Sequence, residues 1–275
     1  MTGGAVPTEA GRVAASDSDG PPALRFPYDA SVLAERPLRT ERLVLRPLAA
    51  SDAADVFEYQ RLPEVIRYLP WPERDRAEGY AHTAKRAAAR VLAADGDFVV
   101  FAATLNGEPA TGSPPRAAAP RDRVGVGAPR DRVGVGASRD RVGVGAPRDR
   151  VGVGALRDRV GVGALRDRVI GDVMVRVSSV EHAQLELGWV LHPDFQRRGF
   201  AREAAGAVLA FAFETLNPHR VQAFLDARNA ASAALCERLG MRREATILEE
   251  EYHDGEWTDT AVYGMLRREW AAARG

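Results

Sequence analysis

"ELGWVLHPDFQRRGFAREA", residues 186–204, decides the fold, because one periodicity stops inside it and another begins. Over 185–193, Leu185, Leu187, Trp189 and Leu191 fall on one face of a strand, and Glu186, Gly188 and Val190 on the other. Over 199–216, Ala201, Ala204, Ala205, Val208, Ala212 and Leu216 recur at helical spacing. A strand that feeds a helix through so short a loop leaves the backbone N–H groups of Arg197 through Ala201 without helical acceptors. The helix dipole makes that spot attractive to an anion such as a pyrophosphate. Gly199 lets the backbone approach a ligand closely, Ala201 keeps the contact short, and Arg197 and Arg198 add positive charge. An ordinary loop that happens to carry arginines has the same composition, so the loop alone does not decide between the two.

The flanking segments continue the alternation of strand and helix. Asn217-Pro218 stops the helix, "RVQAFLDA" (220–227) reads as a strand, and "AASAALCERLG" (230–240) as a helix stopped by Gly240. "REATILEEEYHDGEWTDTAVYGMLRREW" (243–270) reads as a hairpin turning at Asp254-Gly255. Upstream, "TERLVLRPL" (40–48) alternates as a strand, and "SDAADVFEYQRL" (51–62) is a helix with Ser51 and Asp52 as caps. "PERDRAEGYAHTAKRAAARVLAA" (72–94) predicts a longer helix, and "DFVVFAATLNGE" (97–108) a strand ending in an Asn106-Gly107 turn.

At that turn a nine-residue unit repeats. Five complete copies of the RDRVGVGA type run from Pro120 to Ala164, and a sixth becomes "IGDVMVRV", a β-branched strand pattern over 169–177. Each copy has two valines among glycines and charges, too little apolar surface for a stacked core. The GxG inside it lacks the third glycine of a dinucleotide fingerprint, since that place holds Arg130. The expectation is an unstructured, low-complexity insertion over 109–168, behind a disordered Pro/Gly/Ala leader over 1–36 and within a domain over 37–272.

With 38 basic and 38 acidic residues in 275, the chain carries no net charge. No specific nucleic-acid or membrane partner is expected. The one cysteine excludes an intramolecular disulfide, and the five histidines lack metal-ligand spacing. The N-terminus lacks the pattern of a secretory signal, so a cytoplasmic location is expected.

The order "TERLVLRPL", "VIGDVMV", "ELGWVLHPDFQRRGFAREA", "HRVQAFLDARNAASAALCERLGMRREA", "GEWTD", "LRREW" resembles the GCN5-related N-acetyltransferases (GNAT), in particular their RimJ/RimL-like branch of ribosomal-protein alanine acetyltransferases. The resemblance covers about 37–270, interrupted by the repeats. It implies an α/β (α+β) fold, a mixed and mostly antiparallel sheet flanked by helices, whose splayed strands 184–192 and 220–227 hold acetyl-CoA. It implies that Gln196, Arg197, Arg198, Gly199, Phe200 and Ala201 cradle the pyrophosphate, next to Val190 and Leu191. Asn229 would contact the pantetheine arm and Ser232 lie near the sulfur. Both also suit plain helix capping.

The implied activity is acetyl transfer from acetyl-CoA to a primary amine, with no metal. The acceptor is a protein N-terminal α-amine or a small molecule. A non-catalytic CoA-binding scaffold and a homodimer are left open. Attack requires a neutral amine, and Glu186 is the candidate base, although a carboxylate on a strand equally suits an ion pair. Ser232 is the candidate proton donor to the leaving thiolate, through water because a serine hydroxyl is weakly acidic. Tyr68, Trp71, Trp257 and Asp259 are candidates for the acceptor pocket, against the simpler roles of loop anchor and hairpin lock. Cys236, beside Leu235 and Leu239, is expected to pack in the core.

Overall fold

The computed structural model describes residues 23–106, 168–253 and 255–274. Residues 1–22, the repeats and Gly107 of the expected turn lie outside them, as does Asp254. Eight strands form one mixed sheet in the order β2 (Leu38–Arg39), β3 (Leu43–Pro47), β5 (Phe98–Leu105), β6 (Val169–Ser179), β7 (Gln184–Leu191), β8 (Arg220–Asp226), β10 (Glu256–Leu266), β9 (Arg242–His253). β1 (Tyr28–Asp29) and β4 (Val91–Leu92) pair separately. β7 with β8 is the parallel pair, and the other neighbours run antiparallel. The helices are α1 (Ala53–Gln60), α2 (Pro63–Ile66), α3 (Arg76–Ala88), α4 (Phe200–Phe211), α5 (Ala230–Arg238) and α6 (Arg267–Ala272).

The central strands of the sheet are buried on two faces. Along β5, Val99, Phe101 and Ala103 join the cluster under α4, while Val100 and Ala102 join Val56, Tyr59 and Ala87 under α1 and α3. A strand covered on both faces needs a nearly continuous apolar run, which "FVVFAATL" supplies. On β7, Leu185 and Leu187 pack in the first cluster with Trp189 and Leu191 against it, and Val190 packs on the second. Each fully buried leucine of this kind contributes about 1.5–3 kcal/mol.

Four boundaries depart from the sequence reading. Residues 23–36 are ordered. Ala30 and Leu33 are core residues, the Arg25 amide donates to the Leu216 carbonyl at 2.9 Å, and the Tyr28 and Phe211 rings meet edge-on with centroids 5.4 Å apart. A few apolar side chains in a Pro- and Ala-rich stretch suffice when a ready-made groove receives them. The helix expected over 72–94 is shorter at both ends. Asp75 caps it through a reciprocal pair with Glu78 at 2.9 and 3.0 Å, and Val91-Leu92 leaves it to pair with β1. The helix expected over 51–62 starts at Ala53 after a 3-10 turn, since the Asp52 carboxylate is taken by Arg46 and the Ala49 amide. The last strand stops at Leu266, where the Glu269 carboxylate accepts the Leu266 amide at 2.7 Å and starts α6.

Candidate active site

The parallel pair is short. Gln184, Leu185 and Glu186 face Arg220, Val221 and Gln222, and pairing between the strands ends there. β7 continues on β6 as far as Leu191 opposite Gly171, and β8 continues on β10 as far as Asp226 opposite Thr260. The two strands are therefore pulled apart by their outer neighbours. Gly171 permits the close approach on the β6 side, since a Cβ there would lie 2.5 Å from the Val190 carbonyl oxygen.

Beyond the wedge, the chain turns through a 3-10 segment (Pro193–Phe195) and the expected loop. Gln196 Nε2 donates to the Leu191 carbonyl at 3.0 Å, which folds the loop back on the strand end. Arg197 and Gly199 both have positive φ, 58° and 82°, and Gly199 caps α4. Only glycine takes such a conformation without strain. Gln196, Arg197, Arg198 and Gly199 are exposed, while Phe200 is buried beneath them. The loop thus offers two cations and a helix start, on a backbone bare at Gly199, and these residues fit a pyrophosphate.

A clamp that the sequence reading missed holds this loop. Glu203, on the first turn of α4, accepts from Thr40 Oγ1 at 2.5 Å, the Arg42 amide at 2.8 Å and Arg42 Nε at 2.6 Å. Arg42 Nη1 donates to the Arg198 carbonyl at 2.9 Å, and its guanidinium lies 4.5 Å from the Phe200 ring centre. Burial alone would raise the Glu203 carboxyl, but the bonds from Thr40 and Arg42 outweigh it and hold it low. A Cβ on Gly199 would come within 3.1 Å of Arg42 Nη2. The partners are more than 150 residues apart, and no periodicity connects them.

Glu186 is half-buried on β7, 3.4 Å from Arg176 Nη1. Burial pushes its carboxyl above the ordinary range, and the long contact with Arg176 opposes this only in part. A carboxyl so placed is a better proton acceptor than one in free solution. Asn229 caps α5, its Oδ1 accepting the Ser232 amide at 3.0 Å. Ser232 Oγ accepts from Trp189 Nε1 at 3.3 Å, so β7 and α5 are joined beyond the last residue pair of β7 and β8. Cys236 is fully buried, its thiol pushed up to about 12 by burial, in keeping with core packing.

Tyr68 and Trp71 line one cavity of about 620 Å³ with Pro63, Glu64, Ile66, Arg67 and Glu73. Trp257 and Asp259 do not line it. Trp257 is exposed against Tyr252, and Asp259 accepts the Glu249 amide at 2.9 Å, locking the hairpin. Behind Trp71 the Arg86 guanidinium lies 5.7 Å from the ring centre. Arg86 in turn donates to Asp172, which sits opposite Val190 in the β6–β7 register. Contacts therefore run from Trp71 in the cavity wall through Arg86 to Asp172 on β6, the strand next to β7. Among the described residues no group of His, Cys, Asp or Glu is arranged to hold a metal.

A mixed sheet with one splayed parallel pair, followed by a glycine-capped helix start, is the arrangement that the resemblance to the GNAT family implied. The family model for the acetyltransferase (GNAT) domain matches residues 42–120 and 149–242, and the chain belongs to that family. It is 36% identical over 102 residues to the uncharacterized N-acetyltransferase YnaD of Bacillus subtilis (strain 168), covering 37% of this chain and 59% of that one. It is 28% identical over 102 residues to the spermidine N(1)-acetyltransferase of Vibrio cholerae, with the same coverage of each chain. The chain thus spans about three fifths of the length of these curated relatives. The fold is similar to that of RimL, a ribosomal L7/L12 α-N-protein acetyltransferase in complex with coenzyme A, at a TM-score of 0.53 and 12% identity over 82% of this chain and 95% of that one.

Proposed function

We propose that this protein transfers acetyl from acetyl-CoA to a primary amine, the N-terminal α-amine of a protein, by direct attack. The observation that carries the reading is the wedge between β7 and β8, with the exposed Gln196–Gly199 loop at its mouth. Acetyl-CoA supplies the activated acyl carbon when bound. Gln196, Arg197, Arg198, Gly199, Phe200 and Ala201 hold its pyrophosphate, the free edge at Val190 and Leu191 receives the pantetheine arm, and Asn229 lines the other side. Glu186 draws the proton from the incoming ammonium, directly or through water. Ser232 returns a proton toward the sulfur by way of water.

The structural likeness to RimL supports a protein acceptor, and the relative named for spermidine supports a small polyamine as the second reading. Tyr68 and Trp71 are the pocket residues assigned to the acceptor in either case, and the repeats are left without a role in the chemistry.

The test is calorimetric titration with acetyl-CoA, followed by thiol release against a panel of N-terminal peptides and small amines. Gly199→Val crowds the space before Arg42 and should weaken acetyl-CoA binding at least tenfold, as expected for a side chain forced into a helix-start anion site. Unchanged affinity in a folded Gly199→Val protein would remove the loop from the site.

A further inference from the structure

We infer that Trp189 is a positioning residue for Ser232. The inference rests on the function proposed above and assigns a task to a side chain that the reading so far treats as packing.

Trp189 lies on β7 past the last residue paired with β8, where the wedge is already open. Its ring belongs to the face that packs on the core, and its Nε1–H crosses to Ser232 Oγ at 3.3 Å. An indole N–H donates and never accepts, so this contact can use only a lone pair of the serine oxygen. The Ser232 amide is already bound to Asn229 Oδ1. Trp189 thus holds the side-chain oxygen of Ser232 and Asn229 its backbone amide, and neither bond uses the hydroxyl proton, which stays available to be donated. Accepting a hydrogen bond also makes a hydroxyl a better donor, because chained hydrogen bonds polarise one another. A serine alone is a weak proton source. One whose oxygen faces a fixed N–H is a stronger one.

The proton balance is complete. The amine nitrogen forms the bond to the acyl carbon as the carbon–sulfur bond breaks. The amine's protons leave through Glu186 to solvent, and the sulfur takes a proton from the Ser232 chain. Ser232 takes one back from water, so no other reactant is needed. Trp189 itself is not consumed and touches no reacting atom.

The inference is tested by a double-mutant cycle and by a spectrum. Trp189→Phe keeps a ring in the core and removes the donor. It should lower kcat about tenfold with little change in the KM for acetyl-CoA, a modest share of what proton transfer by a placed group contributes. In a Ser232→Ala background it should lower kcat no further, since a residue acting through Ser232 has nothing left to position. An equal loss in both backgrounds, or no loss in either, would overturn the inference. Independently of how Trp189→Phe folds, Ser232→Ala should shift one of the four indole N–H signals in a 15N-edited spectrum of the ligand-free protein. Four unmoved signals would show that the bond is absent and also overturn it. If the unmodified protein shows the Ser232-dependent shift but no acetyl-CoA turnover, the functional reading has failed instead, and the catalytic task of Trp189 with it.

Discussion

The Tyr59 phenol donates to the Asp172 carboxylate at 2.6 Å, joining α1 to β6 across 113 residues of chain. Arg86 from α3 reaches the same carboxylate at 2.5 Å. Tyr59 is fully buried, and Arg86 and Asp172 are nearly so, at 7% and 2% exposure. Burial, and then the charge of Asp172, push the phenol well above its ordinary range, so it remains a donor. Burial alone would lower Arg86, but Asp172 outweighs it and keeps the guanidinium charged. This triad fixes α1 and α3 to β6, the strand on which β7 runs out to its open end.

Asp172→Asn should therefore be among the costlier conservative changes in the domain. It preserves shape but leaves the Arg86 charge buried without a counter-ion, a situation worth about 3–5 kcal/mol. Tyr59→Phe removes one hydrogen bond and should cost about 1–3 kcal/mol, because the carboxylate keeps Arg86. Urea denaturation at unchanged slope measures both. Equal losses for the two variants would mean that the ion pair is not the dominant element.

With Glu186 as the proposed base, its ionisation should set the acid side of the rate. Its carboxyl is raised by burial, and a base acts only when ionised, so turnover should fall as pH drops through a value above the usual carboxylate range. Glu186→Gln should lower kcat on the order of a hundredfold and flatten that limb. The stability effect has the opposite sense. A carboxyl with a raised folded-state pKa weakens the fold once it ionises, so the variant should gain relative stability as pH rises above the unfolded carboxylate range. A pH–rate profile unaltered in the variant would remove Glu186 from the mechanism.

The strands and helices around the site were legible because their periods are local. "LELGWVLHP" alternates over nine residues, and "GFAREAAGAVLAFAFETL" changes to helical spacing where Gly199 caps α4. The wedge itself has no local signature. It follows from the outer partners of β7 and β8, and those pairings are set elsewhere in the chain. The Arg42–Glu203 clamp and the Tyr59–Asp172–Arg86 triad were invisible for the same reason. Asp172, inside "IGDVMV", reads as one polar position on a strand, whereas it is the charge that α1 and α3 close over. Composition misled at the leader, where Leu24, Phe26 and Leu33 pack against or within the core from a stretch otherwise rich in proline and alanine.

The repeats should be dispensable for chemistry, because both strands that flank them are complete without them. β5 and β6 pair from Thr104 opposite Val169 to Phe98 opposite Arg176. At the open end the Asn106 amide donates to the Arg42 carbonyl at 2.8 Å, and the Val169 amide donates to Asp55 at 2.8 Å. These anchors come from the domain itself. Closing about 60 residues instead of a short turn costs only about 2 kcal/mol of chain entropy. Replacing 109–167 with a short Gly-Ser turn should leave acetyl-CoA affinity and kcat within about twofold and raise thermal stability by a comparable 1–2 kcal/mol. Residues 109–167 hold twelve Arg and six Asp, so their replacement also removes a net six positive charges. Weak, salt-sensitive retention on a polyanion column should fall with them. Calorimetry, kinetics and the column read the three effects separately. A folded deletion variant that no longer turns over acetyl-CoA would make the repeats part of the working site.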